Sequence, residues 1–172
     1  MDQIALIERD HGRAVIDRDM ARLTEEQAAT VRATISASWM DVHTVAAFKN
    51  AVAHELGVDP LDFQRDIVRR ALGDTINKMW RVLLQSLWDS AIVKRTPILY
   101  SKAFERGELK LEQIGKGEAT FVLSGWPDMP EYDCIGLGAG MEALLEYSGR
   151  RGAVVRWERQ APLLRFRARW DG

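Results

Sequence analysis

Cysteine is almost absent from this chain: Cys134 is the only one among 172 residues. A lone thiol forms no intramolecular disulfide, which excludes a disulfide-stapled secreted scaffold and suits a reducing cytoplasm. Histidine is also scarce, with His11, His43 and His54 as its three members. A structural metal site usually needs four close ligands in short paired spacing. His43 and His54 share one expected helix, and their rings would stand roughly 16 Å apart at about 1.5 Å rise per residue, too far for one ion. Each histidine reads as a surface or capping residue, although any one alone has the chemistry to ligate a heme iron. No metal and no cofactor is expected. Long apolar runs are missing, so no membrane span is expected. The opening residues carry Asp2, Glu8 and Asp10 with no apolar stretch and do not read as a signal peptide. Neither charge sign dominates: 24 basic residues meet 25 acidic ones, for a net charge of -1. Nothing global therefore draws the chain to nucleic acid or to an anionic membrane, and no nucleic-acid partner is expected.

What is present is enough apolar material for a core, 47% of residues, with six tryptophans. The first half is punctuated as helices. Short helices are expected over 4–10 and 14–21, and a third from the capping box Thr24–Gln27 to about 37, broken at 38–41 by Ser38-Trp39-Met40-Asp41. Val45, Phe48, Val52 and Leu56 recur at spacings of three and four, which predicts a helix over 42–56 capped by Gly57. Asp59-Pro60 starts another that carries Phe63, Ile67, Val68 and Leu72 and stops at Gly73. Asp74 caps a long helix to about 88, and Thr96-Pro97 opens one that Gly107 ends. Beyond Gly107 the period becomes two. Leu109 and Leu111 alternate with Lys110 and Glu112, and the turn Gly115-Lys116-Gly117 pairs this strand with 119–124. After the loop Trp126-Pro127-Asp128-Met129-Pro130 come a helix over 132–147 and strands over 153–158 and 163–170. The chain thus reads as a single α+β domain, helical over about 1–107 and sheet-rich over 108–172, with an antiparallel β-β-α-β-β unit.

No catalytic constellation emerges. Gly136-Leu137-Gly138-Ala139-Gly140 imitates a phosphate loop, but it lies inside an expected helix. A dinucleotide fingerprint follows a strand in a parallel unit. These glycines read as a small-residue face for close packing. Cys134 sits near a helix N-terminus, which lowers a thiol's pKa, but Glu131 and Asp133 flank it and no histidine is near in sequence, so it reads as buried and inert. The carboxylates are interleaved with arginines as on solvated faces, and no serine sits in a nucleophile elbow.

The one polarised region is the end of the chain. Alternation places Arg165, Arg167 and Arg169 on one side of the last strand and Leu164, Phe166, Ala168 and Trp170 on the other. The arginines read as the wet face of a half-buried sheet. Their functional alternative is a patch for an acidic protein partner.

The element order and its punctuating residues resemble a bacterial paralogous family of unknown function. That family is related to 4-vinyl-reductase-like domains, heme-nitric-oxide/oxygen-binding domains and transport-protein-particle subunits. The marks are Trp39 with Phe48, Leu72-Gly73, Pro97 and Tyr100 before Gly107, Gly136, Gly149 and Trp170. The resemblance implies a pocket between helices and sheet for a small ligand, or a dimeric scaffold. Two departures stand out. The final hairpin, Glu158-Arg159-Gln160-Ala161-Pro162-Leu163, lacks the cysteines of many 4-vinyl-reductase-like domains. Thr120-Phe121-Val122-Leu123-Ser124 replaces the tyrosine-serine-arginine signature with which heme-sensing relatives hold propionates. The expected function is a non-catalytic cytoplasmic sensory or scaffold domain that binds a protein partner, as a homodimer and gated by a small apolar ligand. A heme or tetrapyrrole gas sensor is the alternative. Pocket candidates are Trp80, Leu84, Trp88, Trp126, Tyr132 and Cys134, and patch candidates are Arg165, Arg167 and Arg169.

Overall fold

The computed structural model describes residues 3–33, 42–75 and 89–171. The chain divides into two compact units, Met1–Ala71 and Leu72–Gly172. The first holds α1 (Gln3–His11), α2 (Arg13–Met20), α3 (Glu25–Ala33), α4 (Val42–Leu56) and most of α5 (Pro60–Thr75). Its core is built from the apolar side of each helix: Leu6 and Ile7, Val15, Ile16 and Met20, Ala28 and Val31, Phe48 and Val52, Phe63 and Ile67 are all buried. Local chemistry sets the helix ends. The Gln27 N–H donates to Thr24 Oγ1 at 3.2 Å and the Thr24 N–H to Gln27 Oε1 at 3.1 Å, the reciprocal capping box expected from that spacing. Asp59 Oδ1 accepts from the N–H groups of Leu61 and Asp62 at 2.9 and 3.0 Å, ahead of a helix whose first residue is proline. Gly57, at φ 68°, turns the chain out of α4, a conformation that side chains with a Cβ disfavour.

The second unit holds α6 (Asp89–Ala103), β1 (Glu108–Gly115), β2 (Glu118–Ser124), α7 (Glu131–Tyr147), β3 (Arg151–Gln160) and β4 (Leu163–Asp171). The four strands form one antiparallel sheet in the order β1-β2-β4-β3. Each hairpin is local, and the sheet is completed by β2 pairing with β4, so that Phe121 lies opposite Phe166 and Leu123 opposite Leu164. One face carries Leu109, Phe121, Leu123, Val155, Phe166 and Trp170, all buried. Helix α7 packs chiefly on β3, and α6 on β1. The chain is therefore α+β, with N-terminal helices followed by a β-β-α-β-β antiparallel sheet, as its periodicities predict.

Two helix boundaries differ from expectation. Gly73 does not stop α5, which continues to Thr75. A Cβ built on Gly73 would collide with the Tyr147 hydroxyl, so this glycine serves close packing rather than capping. Pro97 does not open a helix either: α6 begins at Asp89 and carries Pro97 in its interior. An interior proline costs about 3 kcal/mol or more through its missing N–H and its ring clash. Burial of Ile92, Val93 and Tyr100 on either side offsets this, and Thr96 Oγ1 donates to Ile92 O at 3.3 Å. The expected continuation of α3 to 37, the break at Trp39 and the helix over 76–88 lie outside the described residues.

Candidate functional site

Of the six pocket candidates, Trp80, Leu84 and Trp88 lie outside the described residues. Trp126, Tyr132 and Cys134 are all buried, on the loop between β2 and α7 and in the first turn of α7. Around Trp126 the second unit assembles an aromatic group. Phe104 meets the Trp126 ring edge-on at 6.1 Å and stacks on Tyr100 at 4.9 Å. Arg106 lies 5.5 Å over the indole and reaches Asp128 Oδ1 at 2.9 Å. The Tyr100 hydroxyl donates to the Arg106 carbonyl at 2.6 Å. Of these neighbours only Tyr100 stood out in the sequence, as a mark of resemblance. Phe104 follows it by one helical turn, the spacing at which aromatic side chains meet, and that was the available signal.

The loop is pinned from β3. Arg159 donates to the Pro127 carbonyl and, at 2.7 Å, to the Met129 carbonyl. The Cys134 thiol donates to the same Met129 oxygen at 3.8 Å. Burial is the largest influence on Cys134 and pushes its thiol up to about 11; Arg159 opposes this, and Asp133 and Glu131 reinforce it. The thiol is thus a neutral donor at physiological pH, in agreement with its reading as inert. Burial likewise raises the Tyr100 hydroxyl to about 12, helped by Asp133, and raises that of Tyr132 as well. These groups are neutral and packed. Such a constellation offers no activated nucleophile.

Among the glycines of α7, the surroundings of Gly138 are described, and they do not require a glycine for close packing. A Cβ on Gly138 would lie 3.6 Å from Val155 Cγ1, ordinary contact with β3. The three arginines of β4 do share one outer face, and each meets an acid of a different strand: Glu112 of β1, Glu158 of β3 and Glu118 of β2. Arg165 pairs with Glu112 at 3.1 Å, Arg167 with Glu158 at 2.7 Å and Arg169 with Glu118 at 3.9 Å. Arg165 also donates to Gln160 Oε1 at 3.0 Å. Much of the patch is thus neutralised within the sheet, which favours the wet-face reading.

The histidines are dispersed. His54 is exposed, and its Nδ1 lies 2.9 Å from Arg22 Nη1. His43 is exposed too. His11 lies in the last turn of α1, its ring 6.5 Å from that of Phe63, and its Nε2 is buried without a hydrogen-bond partner. Among the described residues no three His, Cys, Asp or Glu side chains cluster as metal ligands. No described helix is long and apolar enough to cross a membrane.

Neither a protein-family model nor a curated protein matches this sequence. Solved structures do match its fold. An unliganded Fe(II) H-NOX protein from K. algicida superposes with a TM-score of 0.73 at 12% identity, over 99% of this chain and 93% of that one. An oxygen-binding H-NOX domain related to soluble guanylate cyclases, in its oxygen complex, gives 0.65 at 11% identity, over 99% and 92%. An H-NOX structure from a study of heme distortion in that family gives 0.64 at 12% identity, over 99% and 92%. At such identities the likeness defines the fold, which is that of H-NOX domains.

Proposed function

We propose that this chain is a non-catalytic sensory domain for a small ligand, and that a heme-bound gas is a better reading of that ligand than a scaffold for a protein partner. The observation that carries it is the likeness to H-NOX structures across nearly the whole chain. The absence of an activated acid, base or nucleophile among the described residues around Trp126 supports a sensory rather than a catalytic role.

The described residues meet part of what a heme requires. An axial ligand must be a nitrogen, sulfur or oxygen donor whose lone pair is not already engaged. His11 Nε2 is the one imidazole nitrogen among the described residues that is buried and without a partner. The Cys134 thiol is kept protonated and engaged with Met129 O. On β2, Ala119, Phe121 and Leu123 turn inward, so this strand presents no cation to a propionate. His11 Nε2 is thus the unengaged imidazole donor among the described residues, and β2 offers no propionate anchor.

The test is an absorption spectrum after expression with a heme precursor and after reconstitution with hemin. A Soret band with one iron per chain supports the heme reading, and His11→Ala should then shift or abolish it. If no band appears under either condition, the heme reading fails. Native mass spectrometry of the purified protein then decides whether an apolar molecule is retained in its place.

A further inference from the structure

Among the described residues of the N-terminal unit, Asp19 is the one fully buried carboxylate, at 0% exposure, and neither of its oxygens has a hydrogen-bond partner. It sits on α2 beside Val15, Ile16 and Met20, the apolar residues that this helix buries. An ionised carboxylate in such a place is costly unless paired, whereas its neutral acid is tolerated far better. We propose that α2 is a proton-operated latch: it lies closed on α4 while Asp19 carries a proton and loosens when Asp19 ionises.

The groups around Asp19 are engaged in other bonds. On or next to its own helix, Arg18 donates to Glu55 Oε1 at 2.7 Å and Arg22 to Glu55 Oε2 at 2.8 Å. From α4, the helix on which α2 packs, Glu55 and His54 face it. Glu55 takes both arginines, and its charge repels an ionised Asp19. Guanidinium only donates, so His54 Nδ1 must accept from Arg22 and its ring proton belongs on Nε2. The other neighbour of α2 is α1, whose Glu8 is paired with Arg13 and whose Asp10 is paired with Arg9 and Arg70. The arginines nearest to Asp19 are thus drawn to the α4 carboxylate rather than to Asp19 itself. Burial raises its proton affinity, and Glu55 adds to this, while Arg22, Arg18 and His54 act in the opposite direction.

The sign follows from linkage. A carboxyl whose folded pKa lies above its unfolded value contributes stability that is fully present below the unfolded value, and that is lost as pH rises through the folded value. Between 3.8, the ordinary value, and the raised one, the closed state holds a proton that the open state releases. The opening constant of α2 should then rise by up to about tenfold per pH unit, since one proton is exchanged.

Hydrogen exchange of the full-length chain, read on peptides spanning 13–20 and corrected for intrinsic rates, tests the latch. Protection of α2 should fall with rising pH in the wild type and stay flat in Asp19→Asn, which has the same shape and no charge to lose. The carboxyl carbon of Asp19, followed by 13C NMR in the wild-type protein, should titrate above 3.8. This second measurement stands even if Asp19→Asn folds poorly. Titration at or below that value, or an equal pH slope in the Asn variant, overturns the proposal.

Discussion

Met129 O gathers two donors, Arg159 Nη2 and Cys134 Sγ, and the thiol is thereby committed to a structural bond. With its pKa raised to about 11 by burial, it is almost wholly protonated at neutral pH, and the thiolate is the reactive form. Native protein should therefore resist a disulfide reagent for hours and react fully once unfolded in urea. Rapid labelling of the folded chain would refute this. The glycines separate in the same way by what surrounds them. Gly138 has ordinary space over Val155, so Gly138→Ala should be neutral or stabilising by up to about 1 kcal/mol, the helix-propensity gain. Gly73→Ala should instead lose about 1–2 kcal/mol through overpacking against Tyr147. Tyr147→Phe removes the obstructing hydroxyl and should recover part of that loss. Additive losses in urea melts would show that the hydroxyl is not the obstacle.

At the level of elements, the outer face of the sheet carries charge in pairs that span strands. Replacing Arg165, Arg167 and Arg169 together with Gln should cost about 1 kcal/mol in all, since exposed pairs contribute little. Most of it should come from Arg165, which has two partners and a side chain only 25% exposed. The loss should shrink at about 1 M salt, where exposed charges are screened. A loss several times larger in urea melts would mean that the arginines anchor the sheet. Most elements were legible because their signals are local: the Thr24–Gln27 box, Asp59-Pro60 and the period-two alternation around Gly115-Lys116-Gly117 each act within a few residues. Gly73 and Pro97 misled for a tertiary reason. A helix passes through either residue when packing on both sides outweighs the local penalty, and sequence spacing does not report that packing.

For the molecule as a whole, the α+β order was readable and the site only partly. Trp126, Tyr132 and Cys134 are buried in the core of the second unit. Their partners Phe104, Arg106 and Arg159 lie far from them in sequence, and no local pattern joins them. Asp19 and Lys49 escaped notice because charged residues are seldom fully buried; Lys49 is buried on α4 and donates to Gln64 Oε1 at 3.0 Å. The strand order has one more consequence. Strands β1 and β3 are the two margins of the sheet, where an unpaired backbone can template a strand from another molecule. At β1 the register slips between Leu111 and Gln113, and Glu108, Lys110 and Glu112 charge the margin. At β3 the Val155 N–H is taken at 2.9 Å by buried Glu142 of α7. This carboxylate does for the margin what another strand would do. Glu142→Ala should therefore leave β3 receptive to strand donation and raise the mass seen by light scattering as concentration grows, while Glu142→Gln, still an acceptor, should behave as wild type. If the Ala variant kept its native mass at every concentration, the plug at Val155 would be dispensable, and some other feature of β3 would be what turns a visiting strand away.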